Sequence, residues 1–209
     1  RRPIRLPPPP DADYEIRDIA MPNVPYSLAT YYIIAPAEMS TNLARFDGVR
    51  YGLSIPADSL AETYAKTRGA GFGPEVRRRI LIGTFVLSSG YADAYYRKAR
   101  AVRETIRGDF LTAFEHVDAV AVPTTPSPAF KFGEKSDPLA MYAEDIFSVP
   151  ANLAGVPAIS VPMGTVARPS DSLGAGESKE LPLGFQLLAP RRAEEALFKI
   201  AAEIERSAI

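Results

Sequence analysis

The stretch from Asn152 to Met163 reads Asn-Leu-Ala-Gly-Val-Pro-Ala-Ile-Ser-Val-Pro-Met, and it contains both kinds of element from which the chain is built. The apolar residues before Gly155 predict a short helix over 151–154, which ends at Gly155 because glycine accepts the left-handed conformation that follows many helices. The apolar run 158–163 then predicts a β-strand. This stretch therefore predicts a short helix followed directly by a strand.

Further strands and a series of helices surround this stretch. Short apolar runs at 118–122 and 183–188 predict two strands, and a weak alternation predicts another over Tyr14–Ile19. Strands separated by helices favour an α/β sheet covered by helices. A sheet of so few strands has open edges, so the pattern also indicates that this sheet is part of a larger one. Helices are predicted over 27–43, 60–67, 74–88, 91–115, 138–149 and 193–206.

Four residues mark the expected ends of these helices. Ser59 and Asp137 are typical of helix starts, because a short polar side chain caps the first backbone N–H groups. Asp137 is also followed by a proline, which needs no N–H at the first helical position. Pro36 and Pro150 are expected to interrupt or end helices, because proline in a helix interior removes a hydrogen bond.

The chain divides into an arm and a domain. Residues 1–12 include four successive prolines without backbone donors, which predicts a Pro-rich arm or linker. Residues 13–209 carry the regular helix and strand pattern and are expected to form part of a single domain. Within it, residues 165–180 are rich in Gly, Ser, Pro and charge, and we expect a mobile loop there.

Composition excludes several classes of function. The 209 residues carry a formal net charge of -1, which gives no basic field for nucleic acid. The absence of cysteine excludes disulfides, thiolate metal sites and a cysteine nucleophile. We expect no membrane span, because no apolar run reaches about 18 residues. We expect no signal peptide, because Arg1 and Arg2 are followed by proline-rich sequence and not by an apolar stretch. The single histidine, His116, leaves no Ser-His-Asp set, and no metal, phosphate-loop or dinucleotide motif occurs.

The clearest candidate for ligand binding is Arg79. It belongs to the segment Gly-Ala-Gly-Phe-Gly-Pro-Glu-Val-Arg-Arg-Arg-Ile (69–80), whose three glycines predict a flexible loop. The helix over 74–88 is apolar on all faces, which predicts that it is buried. A buried guanidinium requires an anion, and its planar fork suits a carboxylate or phosphate. The alternative is that all three arginines extend to solvent from the helix end.

Asp145 and Tyr31 are the other two candidates. Asp145 is predicted near the C-terminal end of the 138–149 helix, where the helix dipole disfavours negative charge. It either holds a cationic group such as a substrate amine or is an exposed acid beside Glu144. Tyr31 and Tyr32 lie in an apolar run and are expected in the core, unless one hydroxyl reaches a ligand.

Several blocks of this sequence resemble one family. They are Tyr-Tyr-Ile-Ile-Ala-Pro-Ala-Glu (31–38), the blocks at 42–52, 71–80, 87–91, 137–145 and 152–162, and Gly-Phe-Gln-Leu (184–187). Together they are similar to the A subunits of glutamyl-tRNA(Gln) amidotransferases, which belong to the amidase signature family. Other amidases share the last two blocks but seldom the Phe-Asp-Gly-Val-Arg-Tyr-Gly and Gly-Phe-Gly-Pro-Glu-Val-Arg-Arg-Arg blocks.

The resemblance implies a fold and a function. The fold would be the α/β amidase signature fold, a mixed β-sheet covered by helices on both faces, with 13–209 as the C-terminal part of one amidase domain. The function would be that of a cytoplasmic glutamine-hydrolysing subunit, which supplies ammonia for converting Glu-tRNA(Gln) to Gln-tRNA(Gln) in protein biosynthesis. Its partners would be the B and C subunits of an ATP-dependent heterotrimer, with Glu-tRNA(Gln), ATP and Mg on the B subunit. In this family a Tyr, an Arg and an Asp shape the glutamine pocket, and they match Tyr31, Arg79 and Asp145.

One part of the family pattern has no match in this sequence. The family's Ser-cis-Ser-Lys triad and its Gly-Gly-Ser-Ser-Gly segment belong to the N-terminal half of the enzyme, and neither occurs here. We therefore expect no catalytic residue, metal or cofactor in this chain, which would form the glutamine pocket but be inactive alone. Two alternatives stay open: the C-terminal half of another amidase that acts on a small amide, and a binding module without catalysis.

Overall fold

The structure is a computed structural model that describes residues 14–168 and 179–208. The predicted Pro-rich arm lies outside these residues. The chain divides into two compact units, Ala29–Arg103 and the combination of Arg1–Leu28 with Glu104–Ile209. The first is referred to below as the helical unit and the second as the sheet unit.

Helix α1, Ser27–Asn42, enters the helical unit and contains Pro36 in its interior. Its end agrees with the predicted helix over 27–43, but the expectation that Pro36 would break the helix is wrong. Pro36 is almost completely buried, and a Cβ atom placed on Gly83 would lie only 1.9 Å from the Pro36 carbonyl oxygen. This close packing against a neighbouring helix compensates for the hydrogen bond that the proline removes.

Helix α2, Leu60–Gly71, begins where the sequence predicts, with the Ser59 hydroxyl accepting a hydrogen bond from the Glu62 amide. The helix continues four residues beyond the predicted end, so Gly69 and Gly71 are helical rather than part of a flexible loop. The Phe72 amide donates to the Arg68 carbonyl and closes the last turn. Glycine costs a helix only about 1 kcal/mol per residue, so two glycines at its end do not unwind it.

Helix α3, Pro74–Leu87, starts at Pro74 as predicted. The prediction that it is buried on all faces is wrong, because Gly83 and Val86 are buried whereas Leu81 is 71% exposed. The predicted long helix over 91–115 consists of a π-helical segment, Ala92–Arg97, followed by helix α4, Lys98–Ala113.

Three strands form the sheet of the sheet unit: β1, Val120–Pro123, β2, Ala158–Arg168, and β3, Lys179–Leu188. Strand β3 is central and pairs antiparallel with both neighbours, from Val120 opposite Leu188 on one side to Ala158 opposite Leu188 on the other. Within the described residues the sheet is therefore antiparallel.

The prediction of a mobile loop over 165–180 is wrong for the residues at both of its ends, which belong to strands. Strand β2 runs to Arg168 and β3 starts at Lys179, and the two pair continuously there, with Thr165 opposite Pro182. The Thr165 hydroxyl also donates a hydrogen bond to the Glu180 carboxylate at 2.8 Å. The two segments are strands because their backbone N–H and C=O groups pair with each other. The polar composition of these residues gave no sign of that pairing. The rest of the predicted loop, residues 169–178, lies outside the described residues.

Helix α7, Glu194–Ala208, covers one face of the sheet. Its apolar residues pack on the side chains of β2 and β3 that point to that face. Gln186 points to the opposite face, where its Nε2 donates to the Phe147 carbonyl. The core cluster between α7 and the sheet comprises Val161, Phe185, Leu187, Ala189, Leu197 and Ala201, the last two from α7 itself.

The segment Tyr14–Ile19 is not a strand, contrary to the prediction. Instead, the Tyr14 hydroxyl donates a hydrogen bond to Glu203 on helix α7. Burial of the ring, with the hydrogen bond and the negative charge of Glu203, raises the pKa of Tyr14 to about 12. The weak alternation therefore does not mark a strand, since Tyr14 contacts a helix and Ile16 is exposed.

The predicted helix over 138–149 is replaced by two short segments, and the separately predicted helix over 151–154 is present but starts two residues earlier. Helix α5, Pro138–Tyr142, is capped by the Asp137 carboxylate as predicted, and a 3₁₀ segment, Ala143–Asp145, follows it. Helix α6, Val149–Ala154, contains Pro150 in its first turn, where proline is tolerated because the N–H has no helical partner. Pro150 therefore lies within a helix start and does not end one. Gly155 ends α6 with a positive φ of 70°, as predicted.

Candidate functional site

Arg79 projects from helix α3 and is already paired within the helical unit. Its Nε donates to the Glu75 Oε1 atom at 2.9 Å, one helical turn earlier, and its side chain is 23% exposed. Arg78 also contacts the Glu75 carboxylate, whereas Arg77 is exposed. The sequence predicted that Arg79 needs an anion, and a carboxylate of the same helix supplies one.

The Arg79 guanidinium also faces an aromatic ring. Its Cζ lies 5.8 Å from the centroid of the Tyr32 ring, a distance at which cation–π attraction contributes. Tyr32 in turn contacts Tyr31 edge to face, with ring centroids 5.2 Å apart. The structure thus connects two of the three predicted site residues, Tyr31 and Arg79, through a third side chain in the same unit.

Asp145 belongs to the sheet unit and lies at the end of the 3₁₀ segment. Its backbone carbonyl accepts hydrogen bonds from the amide and the hydroxyl of Ser148, at 3.1 and 3.2 Å, which secures the turn into α6. The predicted setting near the end of a long α-helix is wrong, because α5 already ends at Tyr142. The helix-dipole argument therefore does not apply to this carboxylate. Its side chain is half-buried.

Glu144, next to Asp145, forms a polar cluster that sequence reasoning missed. The Ser127 hydroxyl donates to its Oε2 at 2.8 Å, and the Lys135 ammonium contacts its Oε1. Burial opposes ionisation of this carboxyl, but the hydrogen bonds from Lys135 and Ser127 and the charge of Lys135 outweigh it. The pKa of Glu144 therefore lies below its ordinary value of 4.5. No local motif indicates these contacts, because the partners are separated along the chain.

A second missed feature lies across the sheet. The hydroxyls of Thr124 and Ser160 are 2.6 Å apart, although they belong to segments on opposite sides of β3. Gly184 of β3 lies beneath them, and a Cβ atom there would approach both hydroxyl oxygens within 2.8 Å. The Gly-Phe-Gln block of the sequence therefore has a structural reason for its glycine, which permits this contact.

Arg79 and Asp145 belong to different units of the chain and carry opposite charges. Arg79 supplies a planar cation suited to a carboxylate, and Asp145 supplies a carboxylate suited to an ammonium group. Within residues 14–168 and 179–208, no group of three or more His, Cys, Asp or Glu side chains is arranged to hold a metal ion. None of the helices described is long and apolar enough to cross a membrane.

The sequence model of the Amidase family matches residues 11–198, so the chain belongs to the Amidase family. It is 54% identical to the A subunit of the glutamyl-tRNA(Gln) amidotransferase of Azorhizobium caulinodans over 95% of its length. It is equally similar, at 54% over 94%, to the corresponding A subunit of Maricaulis maris. The chain spans 38% of the length of each of these relatives. The resemblance to these A subunits is thereby confirmed.

Solved structures confirm the fold. The crystal structure of the glutamyl-tRNA(Gln) amidotransferase A subunit from Thermotoga maritima matches 89% of this chain and 33% of its own, with 42% identity and a TM-score of 0.59. A bacterial aryl acylamidase of the amidase signature enzymes matches 93% of this chain and 36% of its own, at 18% identity and a TM-score of 0.56. The second likeness shows the fold alone. The predicted α/β class and amidase signature fold are confirmed.

Proposed function

We propose that this chain is the C-terminal part of a glutamine-hydrolysing amidotransferase subunit. The whole protein would release ammonia from glutamine and supply it for converting Glu-tRNA(Gln) to Gln-tRNA(Gln) in protein biosynthesis. The observation that carries this proposal is the 54% identity to named A subunits over 95% of the chain. The aryl acylamidase shares the fold at only 18% identity, which gives no comparable support for another amide substrate.

The proposed role of this chain is to form the glutamine pocket with Tyr31, Arg79 and Asp145. Free glutamine carries an α-carboxylate and an α-ammonium group, so a pocket that selects it needs a cation and an anion. Arg79 would bind the carboxylate, and Asp145 would bind the ammonium. Tyr31, whose ring packs against Tyr32, would contribute its ring or hydroxyl to the wall of the pocket.

The contact with Glu75 is compatible with this role for Arg79. The bond to Glu75 engages the Nε edge of the guanidinium, and an arginine presents further N–H donors in the same plane. Glu75 would therefore hold the guanidinium in one orientation against the Tyr32 ring while the substrate carboxylate binds another edge. This arrangement would limit the side-chain entropy that Arg79 loses when glutamine binds.

The remaining functions would lie outside this chain. The nucleophilic Ser-cis-Ser-Lys triad would come from the N-terminal half of the protein, so the chain alone would not hydrolyse glutamine. The B and C subunits would complete a cytoplasmic heterotrimer. Of these two, the B subunit would bind Glu-tRNA(Gln), ATP and Mg, and it would consume the ammonia.

The test is substitution of Arg79 by alanine in the full-length protein assembled with its partner subunits. Loss of a charge-assisted contact to the substrate carboxylate is expected to raise KM for glutamine about 100-fold. Amidation with ammonium salt in place of glutamine should be unchanged, because it bypasses the pocket. The matched control is Arg77→Ala, which removes an exposed arginine of the same helix.

Two outcomes would contradict the proposal. One is an unchanged KM for glutamine in the Arg79→Ala protein. The other is glutamine hydrolysis by the purified 209-residue chain alone, since that would require a nucleophile that we place in the N-terminal half.

A further inference from the structure

The side chain of Glu144, the residue before Asp145, is held in a sheltered position. The Glu144 side chain is only 17% exposed, and both of its carboxylate oxygens are engaged, one by Ser127 and the other by Lys135. Lys135 is itself 21% exposed. Its ammonium also lies 4.5 Å from the centroid of the Phe130 ring. A carboxylate with two partners in a sheltered position has little rotational freedom.

One partner of Glu144, Ser127, lies in a loop that continues directly from strand β1. The Thr124 amide continues the β1 ladder by donating to the Gly184 carbonyl at 3.0 Å. One residue later, the Thr125 hydroxyl donates to the Ser127 carbonyl at 2.8 Å and shapes the loop that presents Ser127. A chain of hydrogen bonds therefore leads from the central strand, through this loop, to Glu144.

The 3₁₀ segment that carries both acids has little stability of its own. It has three residues, and α5 before it has five, far fewer than an isolated helix needs to persist in water. Successive side chains on a 3₁₀ helix are roughly 120° apart. When Glu144 is held on one side, the direction in which Asp145 projects is thereby set.

We propose that Glu144 is a positioning residue for Asp145, and that the Ser127–Glu144–Lys135 cluster orients the Asp145 carboxylate toward the ammonium group of the substrate. This inference rests on the proposed function, in which Asp145 binds glutamine. Glu144 itself does not contact the substrate and acts through its neighbour.

The test is a double-mutant cycle in the full-length protein with its partner subunits, using Glu144→Gln and Asp145→Asn singly and together. Glu144→Gln removes the charge that Lys135 requires and leaves the side chain the same length. We expect it to raise KM for glutamine about 10-fold with Asp145 present, and less than about 2-fold when residue 145 is already asparagine. The kcat value and ammonium-dependent amidation should stay within about 2-fold of the unsubstituted protein. Glu115→Gln, at an exposed position of the sheet unit, is the matched control.

The outcomes separate this inference from the proposed function. If Asp145→Asn leaves KM for glutamine unchanged, the proposed pocket is wrong and the inference is overturned with it. Two outcomes would overturn only the positioning role, given that Asp145→Asn raises KM. In the first, Glu144→Gln leaves KM unchanged. In the second, Glu144→Gln raises KM equally whether residue 145 is aspartate or asparagine. A parallel fall in ammonium-dependent amidation would also overturn it, because it would indicate general damage to the fold. Should Glu144→Gln fold poorly, Ser127→Ala removes one of the two contacts, and about a 3-fold rise in KM with Asp145 present supports the same conclusion.

Discussion

The two units of the chain bury residues of different size. Among the described residues, the buried leucine and phenylalanine side chains all belong to the sheet unit, whereas the largest apolar side chain buried in the helical unit is that of Ile34. The sheet unit buries Ile106, Phe110, Val149, Leu153, Phe185, Leu187, Leu188 and Leu197, among others. The helical unit buries Thr30, Ile34, Pro36, Ala37, Thr67, Gly83, Val86 and Ala99.

The difference indicates two ways of fixing a structure. Large side chains in the sheet unit remove apolar area from water and interdigitate, so stability there depends on atoms that are present. In the helical unit, α1 and α3 approach closely because Gly83 has no side chain. The packing there therefore depends on the absence of a Cβ atom at residue 83. We therefore expect the helical unit to be most sensitive to added atoms and the sheet unit to removed ones.

The largest effect is expected from Gly83→Ala in the helical unit. The new Cβ would lie 1.9 Å from the Pro36 carbonyl oxygen and 2.8 Å from the Ser40 Cβ, and a backbone atom cannot rotate away. The free energy of unfolding of the full-length protein should fall by more than about 3 kcal/mol, measured by denaturant titration.

Gly108→Ala is the control for this prediction. Gly108 lies inside helix α4, and nothing is within 4 Å of the position its Cβ would occupy. Alanine should therefore stabilise the protein by about 0.5–1 kcal/mol. Equal effects at the two glycines would show that the contact between α1 and α3 does not depend on Gly83.

The matching substitution in the sheet unit is Leu188→Ala. Leu188 is 2% exposed at the end of β3, where both outer strands pair with it. Removing its side chain should leave a cavity and lower the free energy of unfolding by about 3 kcal/mol. Leu111→Ala, at an exposed leucine, should change it by less than about 0.5 kcal/mol. A small loss at Leu188 would mean that the sheet unit does not depend on large side chains as we argue.

Sequence signals predicted the structure well where the cause is local. Ser59 and Asp137 cap the helices they were expected to cap, and Gly155 ends α6, because each acts on backbone groups within a few residues. The strands around Ala121 and Ile159 were found because apolar runs of that length are typical of strands. The family blocks identified the fold for a different reason, since they match a known pattern.

The signals failed where a partner is distant in the chain. Pro36 stays helical because of its contact with Gly83, and residues 165–168 are extended because residues 179–182 pair with them. At the candidate site, Arg79 and Tyr31 could be named from the sequence, but the partners Glu75 and Tyr32 could not be assigned to them. Glu144 was considered only as the neighbour of Asp145, because its contacts come from a loop and a lysine that no periodicity connects to it.

A smaller effect is expected from Glu144→Gln, and it should depend on pH. The pKa of Glu144 is lowered from its ordinary value of 4.5, so its ionised form stabilises the folded state. At neutral pH the substitution should lower the free energy of unfolding by about 1.5 kcal/mol. This contribution is fully present above pH 4.5 and is lost as the pH falls through the lower, folded-state pKa.

Denaturant titrations at several pH values between neutrality and about pH 3 would test this. The gap between the Glu144→Gln protein and the unsubstituted one should narrow in acid, because a protonated glutamate resembles glutamine. Glu115→Gln, at an exposed position, provides the comparison and should change the free energy of unfolding by less than about 0.5 kcal/mol at neutral pH. A gap for Glu144→Gln that stays constant into acid would contradict a stabilising charge at that position.

The smallest effects concern the two helix caps, one in each unit. Ser59 offers one hydroxyl to the Glu62 amide at 3.2 Å, at the start of a 12-residue helix. Asp137 offers two carboxylate oxygens, to the amides of Leu139 and Ala140, at the start of a 5-residue helix. Alanine at either position should lower the free energy of unfolding by about 1 kcal/mol.

Hydrogen exchange should distinguish the Ser59→Ala protein from the Asp137→Ala protein. The long helix α2 should lose protection only in its first turn after Ser59→Ala, whereas the short helix α5 should lose it throughout after Asp137→Ala, because five residues cannot hold a helix without the cap. Loss of protection along the whole of α2 would show that the helical unit depends on its caps as strongly as the sheet unit does.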